Sequence, residues 1–375
     1  MRVVFVGLYT DPEHRAPDVL VDGGWRGFGR AAIAVAGAGH TRIRVSIVQA
    51  ASRDAEREIA GVPCSFVRVR TPLGVGRVID RVRALGPDLI HYQGFVRPLG
   101  LGRLLRAFPQ TPVLVQDHGT KRAALGGWRR LLYRRSLTNV AAVAFTSRAQ
   151  ADAFVAAGIL PRGIRAFEVI EISTRFAPGD QEAARRETGL AGDPCLLWAG
   201  QLDANKDPLR ILDAVSRTAR ALPATRLYMC YRSAPLLEVV RARVDDDPSL
   251  AQRVVLVGHV PHAAMERYFQ AADFLVQASH DEGSGGALIE SLACGTTPIV
   301  TDIPSFRRIT GNGVCGGLVP LTGGDFATTI ATWAARDKAG LRRSARQHFE
   351  RELSFEAMGR QLCQTYLALR QSPRP

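Results

Sequence analysis

The sequence predicts an α/β protein built from two Rossmann-like domains, and three observations favour this class. The chain has 375 residues, which is more than one hydrophobic core usually holds. Short apolar runs alternate with helix-like segments from end to end, as is typical of parallel sheets that are covered by helices on both faces. These runs fall into two series, one in each half of the chain, and each series is long enough to form its own open sheet.

Six apolar runs in the first half predict the strands of one sheet. They occupy residues 2–7, 42–49, 64–69, 88–94, 112–118 and 140–147. The first run breaks at Gly7 and leads into polar residues, so we interpret it as a buried strand and not as a signal peptide. We expect no membrane span, because no apolar run is long enough to form one.

Five runs in the second half predict the strands of a second sheet. They occupy residues 195–200, 225–231, 253–260, 273–279 and 297–302. Between the two series lies a polar segment, residues 173–194, that is punctuated by prolines and glycines. We therefore expect an N-terminal domain over residues 1–175 and a C-terminal domain over residues 176–352. An apolar stripe at helical spacing in residues 354–370 predicts a final helix.

The amino-acid composition excludes few classes of binding partner or of chemistry. The net charge of +14 comes mostly from arginine in an alanine- and glycine-rich chain, so by itself it is weak support for an anionic partner. The six cysteines include no CxxC pair, and we expect small core residues in a reducing cytoplasm. Residues 245–247 resemble the DxD of metal-dependent transferases, but they precede Pro248, and we interpret them as a solvated acidic turn. We expect neither a metal nor a cofactor.

Several chemically useful side chains follow the predicted strands at their carboxyl ends, where open parallel sheets bind ligands. Gln201 and Lys206 follow the first strand of the second series, and Glu282 follows the fourth. His118 ends the fifth strand of the first series. These positions are the first candidates for a binding or catalytic site.

A glycine-rich turn lies between two glutamates, Glu282 and Glu290. The turn consists of Gly283, Ser284, Gly285 and Gly286. Glycines let backbone N–H groups approach an anion closely, and the N-terminus of the helix that follows carries about half a positive charge. The turn therefore predicts a phosphate or diphosphate site. If most of the interval is helical, the glutamates lie roughly 10 Å apart, which suits the two ends of a nucleotide diphosphate sugar.

With these motifs the sequence resembles the retaining, nucleotide-sugar-dependent glycosyltransferases of family 4, which have the GT-B fold. The resemblance covers nearly the whole chain, and it rests on residues 87–119, 200–217 and 281–311. Glu282 and Glu290 match the family's Glu-x7-Glu pattern. The resemblance implies two Rossmann-like domains facing a central cleft, the first on the acceptor side and the second binding the nucleotide sugar. Residues 353–375 would form a helix that crosses back to the first domain.

The resemblance also implies roles for single residues. Glu282 would contact the donor sugar, and Glu290 would contact the ribose. Lys206 would neutralise the diphosphate. His118 would lie beside the transferred sugar.

The resemblance implies two further sites, and at one of them this sequence departs from the family. Gly23 and Gly24 would form an N-terminal loop that closes on the phosphates. Gln201, which would face the phosphates, stands where the family usually has arginine. A neutral amide cannot share the charge, which leaves Lys206 and the helix N-terminus to stabilise the leaving diphosphate. The family's Asn-Gly-x-Asp turn between the domains is also absent from residues 168–176.

The reaction that the resemblance implies is transfer of a hexose-type sugar to a hydroxyl acceptor, with retention, by front-face substitution. A UDP-sugar is the favoured donor, with GDP- and ADP-sugars as alternatives, and the base would be contacted around residues 258–261. The acceptor stays open. An epimerase or hydrolase of the same fold, or a non-catalytic sugar-nucleotide-binding protein, remains an alternative. We expect no nucleic-acid partner, because the sequence has no stacking platform or nucleic-acid motif.

A basic segment, residues 121–137, mixes lysine and arginine with Trp128, Leu131, Leu132 and Tyr133. It suits peripheral contact with an anionic membrane, or guidance of a phosphorylated or lipid-linked acceptor. An amphipathic helix with a solvated basic face is the alternative. We expect a cytoplasmic enzyme, with peripheral association at the inner face of the membrane as one possibility.

Overall fold

The structure is a computed structural model that describes residues 1–8, 16–17, 28–40, 42–69, 74–95, 97–119 and 127–371. The chain divides into two compact units. One unit contains Met1–Ser173 and Phe355–Pro375, and the other contains Thr174–Ser354. Each unit has a mostly or wholly parallel sheet and its own hydrophobic core, so the predicted α/β class with two domains is confirmed.

The described residues of the first unit form an eight-stranded sheet. Its strands are β1 (Arg2–Gly7), β2 (Arg44–Ala51), β3 (Ala55–Ile59), β4 (Val62–Arg68), β5 (Leu89–Gln93), β6 (Val113–Gln116), β7 (Ala142–Phe145) and β8 (Arg165–Glu168). The strand order is β3-β4-β2-β1-β5-β6-β7-β8, and all neighbours are parallel except the β3–β4 hairpin. The central strands are buried along most of their length, which explains their continuous apolar sequences.

Helices connect most of these strands. They are α1 (Phe28–Gly37), α2 (Gly76–Leu85), α3 (Pro98–Ala107), α4 (Gly127–Leu137) and α5 (Arg148–Ala156). The start of α5 shows how local sequence sets a boundary. The hydroxyl oxygen of Ser147 accepts a hydrogen bond from the backbone N–H of Gln150, and the side-chain oxygen of Gln150 accepts one from the backbone N–H of Ser147, which completes a capping box.

The second unit contains a six-stranded sheet that is parallel throughout. Its strands are β9 (Cys195–Gly200), β10 (Arg226–Tyr231), β11 (Val254–Gly258), β12 (Phe274–Gln277), β13 (Thr297–Thr301) and β14 (Gly317–Val319). The strand order is β11-β10-β9-β12-β13-β14. Its helices are α6 (Gln181–Thr188), α7 (Pro208–Thr218), α8 (Leu237–Asp245), α9 (Pro248–Ala251), α10 (His262–Ala271), α11 (Gly286–Ala293), α12 (Pro304–Ile309), α13 (Phe326–Ala334) and α14 (Lys338–His348).

The last helix, α15 (Phe355–Gln371), follows a π-helical turn at Phe349–Leu353 and packs within the first unit. Gly359 touches the backbone of α1 so closely that an added Cβ would lie 2.2 Å from the carbonyl oxygen of Ala34. Farther along, the hydroxyl of Tyr366 lies 2.7 Å from Nδ1 of the buried His91. The helix is therefore anchored both to α1 and to the sheet.

All eleven strands predicted from apolar runs are present, with ends shifted by a few residues. The sequence did not predict β3, β8 and β14. The first two lie at the two edges of their sheet, where exposure removes the continuous apolar signal. The third is only three residues long and ends the other sheet.

Asp273, just before β12, is a buried carboxylate that holds the second unit together. Its side chain is 4% exposed. One of its oxygens accepts a hydrogen bond from the backbone of Cys195 at 2.8 Å and lies 3.1 Å from the guanidinium of Arg185. The ammonium of Lys338 lies 3.5 Å from the same oxygen. The carboxylate of Asp273 thus links Arg185, Cys195 and Lys338, all of which are distant from it in sequence.

Replacing this carboxylate should destabilise the second unit. We expect Asp273→Ala to lower the free energy of unfolding by about 3–5 kcal/mol, because Arg185 is left without its buried counter-charge. Denaturant unfolding checks this value. Asp245→Ala is the matched control, because Asp245 is exposed and should change the free energy by less than about 0.5 kcal/mol. Equal effects of the two substitutions would contradict the role assigned to Asp273.

Candidate active site

The strand order of the second unit places its candidate site. From β9 the chain passes to β10 on one side, and it later enters β12 on the other side of β9. Ligands in open parallel sheets bind where the strand order reverses in this way, at the carboxyl ends of the strands. Lys206 lies in the loop after β9, and Glu282 lies in the loop after β12. The structure therefore brings these two predicted residues to the reversal point.

Lys206 and Glu282 form an ion pair across this point. Nζ of Lys206 donates to Oε1 of Glu282 at 2.5 Å, and the two side chains are only 18% and 14% exposed. The backbone N–H of Lys206 donates to Oδ1 of Asp203 at 2.9 Å, which fixes the turn that carries the lysine. An anion that reaches this point meets the ammonium, while the carboxylate can accept hydrogen bonds from hydroxyl groups.

Asn205 ties the two loops together. Its carbonyl oxygen accepts a hydrogen bond from the backbone of His280 at 2.8 Å. Its side-chain amide donates to the carbonyl oxygen of Asp281 at 3.0 Å and accepts from the backbone of Asp281 at 3.2 Å. Asn205 was not predicted from the sequence, because an asparagine in a polar loop carries no signal until its partner loop is known. Its effect is to hold Lys206 and Glu282 within reach of each other.

The glycine turn leads directly into α11. Gly285 is the N-cap residue, with φ of 66°, and a Cβ at this position would lie 2.5 Å from the ring of Phe306. Both the left-handed backbone and the close ring favour glycine. Ser284 is buried and lies in the chain between Gly283 and Gly285, and Gly286 is the first residue of α11. The turn thus presents the N-terminus of α11 without a capping side chain.

The interval between the two glutamates is helical only in its second half. The helix begins only at Gly286, so the first half of the interval is a loop. The reason is the left-handed conformation of Gly285, which a continuous right-handed helix cannot include. The estimate of roughly 10 Å between Glu282 and Glu290 therefore loses its geometric basis.

Glu290 is held by a histidine that was not predicted as a site residue from the sequence. Nε2 of His262 lies 2.6 Å from Oε1 of Glu290. The imidazole stacks on Phe176, with ring centroids 5.0 Å apart and an interplanar angle of 26°. A single histidine at the start of α10 forms no recognisable pattern in the sequence. Glu290 and His262 are 19% and 41% exposed, so both remain accessible to a ligand.

Gln201 directly follows β9 and is exposed. Its carbonyl oxygen accepts a hydrogen bond from the backbone of Asp203 at 2.8 Å, within the turn that carries Lys206. The structure thus places Gln201 at the same sheet edge as Lys206.

His118 lies in the first unit, just after β6. Its Nε2 is 2.6 Å from Oε1 of Gln93 at the end of β5, and its Nδ1 is 3.7 Å from a carboxylate oxygen of Glu171. Desolvation lowers the pKa of His118 below its ordinary value. Two features oppose this shift: 29% of the side chain is exposed, and the carboxylate of Glu171 favours the protonated imidazole. With its pKa lowered, the imidazole is neutral at pH 7. Gly23 and Gly24 lie outside the described residues.

Other candidate groups have structural partners. Asp247 of the acidic run caps α9, accepts a hydrogen bond from Ser216 at 2.6 Å and pairs with Arg243 at 3.1 Å. Within the described ranges, no group of three or more His, Cys, Asp or Glu side chains is arranged to hold a metal ion. All six cysteines are buried and unpaired. No helix in the described part of the chain is both long and apolar enough to span a bilayer.

Comparison with protein families assigns both units to the same class. Residues 14–168 match the family model described as "Glycosyl transferase 4-like domain". Residues 193–335 match the model described as "Glycosyl transferases group 1". The first match lies in the first unit and the second match lies in the second unit.

Individual relatives and solved structures agree with this class. The D-inositol 3-phosphate glycosyltransferase of Geodermatophilus obscurus is 33% identical over 183 residues, which are 46% of this chain and 41% of the relative. Sucrose-phosphate synthase from Thermosynechococcus elongatus has a TM-score of 0.69 at 20% identity and covers 98% of both chains. Anabaena HepE in complex with UDP-glucose has a TM-score of 0.65 at 15% identity and covers 98% of this chain and 100% of HepE.

The chain therefore has the fold of the GT-B glycosyltransferases, and its two matched domains are those of a transferase enzyme. It spans less than half the length of the D-inositol 3-phosphate glycosyltransferases that it matches. The similarity to these curated relatives thus concerns part of each protein.

Gly285 offers a test of the glycine turn. We expect Gly285→Ala to lower the free energy of unfolding by about 2–5 kcal/mol, since it adds a clash with Phe306 to the strain of a left-handed alanine. Gly323→Ala is the matched control, because Gly323 also has positive φ, at 71°, but nothing lies within 4 Å of its added Cβ. The control should show only the backbone strain, about 1–2 kcal/mol. Chemical unfolding measures both, and equal losses would contradict the clash.

Proposed function

We propose that the protein is a retaining glycosyltransferase that moves a hexose-type sugar from a nucleotide diphosphate sugar to a hydroxyl acceptor. The observation that carries this proposal is the Lys206–Glu282 pair at the point where the strand order reverses. It sits beside the uncapped N-terminus of α11. An ammonium group and a helix N-terminus together suit a diphosphate, and an adjacent carboxylate suits the hydroxyls of a sugar.

The proposed donor is a UDP-sugar, and its parts have separate candidate partners. Lys206 and the turn at residues 283–286 would bind the diphosphate, with Gln201 contributing a neutral amide. Glu282 would bind the sugar, and Glu290 would bind the ribose. The similarity to Anabaena HepE, which was solved with UDP-glucose, supports this class of donor. The base would be contacted by the backbone around residues 258–261, which begin at the last residue of β11, at the same sheet edge.

The proposed reaction is a front-face substitution. The bond between the anomeric carbon and the leaving phosphate oxygen breaks, and the acceptor oxygen bonds to the same face of that carbon. The acceptor proton passes to an oxygen of the leaving phosphate. Catalysis consists of positioning and of stabilising the charge that develops on the diphosphate. Lys206 and the N-terminus of α11 supply positive charge at that place, so we propose that the reaction needs no metal and no cofactor.

Two proposed contributions come from the first unit. The imidazole of His118 would lie beside the transferred sugar. Gly23 and Gly24 would close on the phosphates, a role that the resemblance in sequence suggests.

Removing the ammonium group tests the proposed mechanism. We expect Lys206→Ala to lower turnover by about 10²–10³, as loss of one group that stabilises an oxyanion commonly does. The measurement is sugar transfer or donor hydrolysis with purified protein. Product analysis with and without an acceptor separates transfer from hydrolysis or epimerisation.

A suitable control for that experiment is Lys338→Ala, which also removes a lysine from the second unit. Lys338 pairs with Asp193 and Asp273 away from the glycine turn. It should cost stability and leave turnover of the folded fraction near that of the native protein. Unchanged turnover in Lys206→Ala would remove Lys206 from the proposed mechanism.

We also propose that the first unit touches an anionic membrane through α4. Trp128 and Leu131 on this helix are 72% and 68% exposed, and Leu99 on the packed helix α3 is 54% exposed. The last turn of α4 adds the exposed Arg134 and Arg135. Exposed apolar side chains beside arginines suit the boundary of an anionic bilayer. Residues 121–126 of the basic segment lie outside the described residues. This contact would place a cytoplasmic enzyme at the inner face of the membrane.

Liposome flotation tests the membrane contact. We expect the native protein to float with vesicles that contain anionic lipid, and Trp128→Ser/Leu131→Ser to lower its partition coefficient by about tenfold or more, because apolar area no longer inserts. The matched control is Val239→Ser/Val314→Ser, which removes two exposed apolar side chains from the second unit. If the native protein does not bind vesicles with anionic lipid, or if the control loses as much binding, α4 is excluded as a membrane-binding surface.

A further inference from the structure

The ring of His262 lies between Glu290 and Phe176 in the second unit. On one side its Nε2 contacts Oε1 of Glu290 at 2.6 Å, and on the other its face stacks on Phe176. We infer that His262 is a positioning residue, which holds the carboxylate of Glu290 in the orientation that accepts the ribose hydroxyls of the donor. This inference rests on the proposed function, since it concerns the same nucleotide site.

The chemistry of the contact fixes the direction of the hydrogen bond. An ionised carboxylate can only accept, so Nε2 of His262 must carry the proton that it donates to Glu290. A carboxylate has about four lone-pair sites, and one hydrogen bond therefore leaves capacity for further donors. The two neighbouring hydroxyls of a ribose are donors of that kind. A histidine that holds Oε1 thus orients the carboxylate and itself occupies one of these sites.

The ring that donates is itself held in place. Phe176 packs against Phe269, with centroids 6.3 Å apart, and Phe269 is fully buried. The guanidinium of Arg346 donates to the carbonyl oxygen of Phe176 at 3.3 Å. The chain of contacts therefore runs from the core, through Phe176 and His262, to the carboxylate. A fixed carboxylate loses less side-chain freedom when a ligand binds than a mobile one, which favours affinity.

His262 itself would act through Glu290. Its loss should therefore weaken binding of a ribonucleotide. A merely structural role would weaken binding of every nucleotide equally, or would unfold the unit. The presence or absence of the ribose hydroxyls separates these cases.

The test is calorimetric titration of the full chain with UDP, GDP and ADP, followed by the 2′,3′-dideoxy form of the one that binds most tightly. His262→Phe keeps a ring against Phe176 but cannot donate. We expect it to weaken binding of the ribonucleotide by about tenfold and to leave binding of the dideoxy form unchanged. His262→Gln keeps an N–H donor and should restore most of the loss. His40→Phe, at an exposed histidine of the first unit, is the control and should change neither affinity.

The outcomes distinguish the two claims. If none of the three nucleotides binds the native protein, the proposed function fails and this inference fails with it. If the native protein binds a ribonucleotide, but His262→Phe weakens the two forms equally or not at all, the inference alone is overturned. Failure of His262→Gln to restore binding would also contradict the assigned hydrogen bond.

Discussion

The contact on which the site depends is the ion pair between Lys206 and Glu282. It exists because β9 and β12 are parallel neighbours, paired through Leu196 with Phe274 and Leu197 with Leu275, so that their carboxyl ends meet at one edge of the sheet. Two charges that are partly removed from water attract each other more strongly than they would in bulk solvent. In the proposed function, the ammonium would bind a phosphate and the carboxylate would bind hydroxyls.

The helix that completes the site is fixed at its far end. Arg346 donates to the carbonyl oxygen of Ala293 at 2.8 Å, and Arg342 donates to that of Cys294 at 3.4 Å. Cations at a helix C-terminus complement its negative end and satisfy carbonyl groups that lack helical partners. The N-cap residue at the opposite end is Gly285, which has no side chain. The C-terminus of α11 is thus bound within the protein, while its N-terminus presents backbone N–H groups suited to an anion.

The sequence was sufficient for the α/β class and for the buried strands, because strands covered on both faces are continuous apolar runs. It was not sufficient for β3 and β8, since edge strands share that pattern only in part. The separate signals of Lys206 and Glu282 were visible in the sequence, but their contact was not. It depends on the strand order, which brings residues 76 positions apart together. His262 was missed for the same reason, since its significance comes from two partners that are distant in the chain.

The central claim is that this sheet edge binds a nucleotide diphosphate sugar, and ligand-induced thermal stabilisation tests it most directly. The melting temperature would be measured with UDP-, GDP- and ADP-linked sugars, and with the corresponding nucleosides. A ligand that binds only the folded state raises the melting temperature by mass action. At least one diphosphate sugar should raise the melting temperature in a concentration-dependent way, and its nucleoside, which lacks the phosphates, should raise it far less. A melting temperature that no diphosphate sugar changes would contradict the central claim.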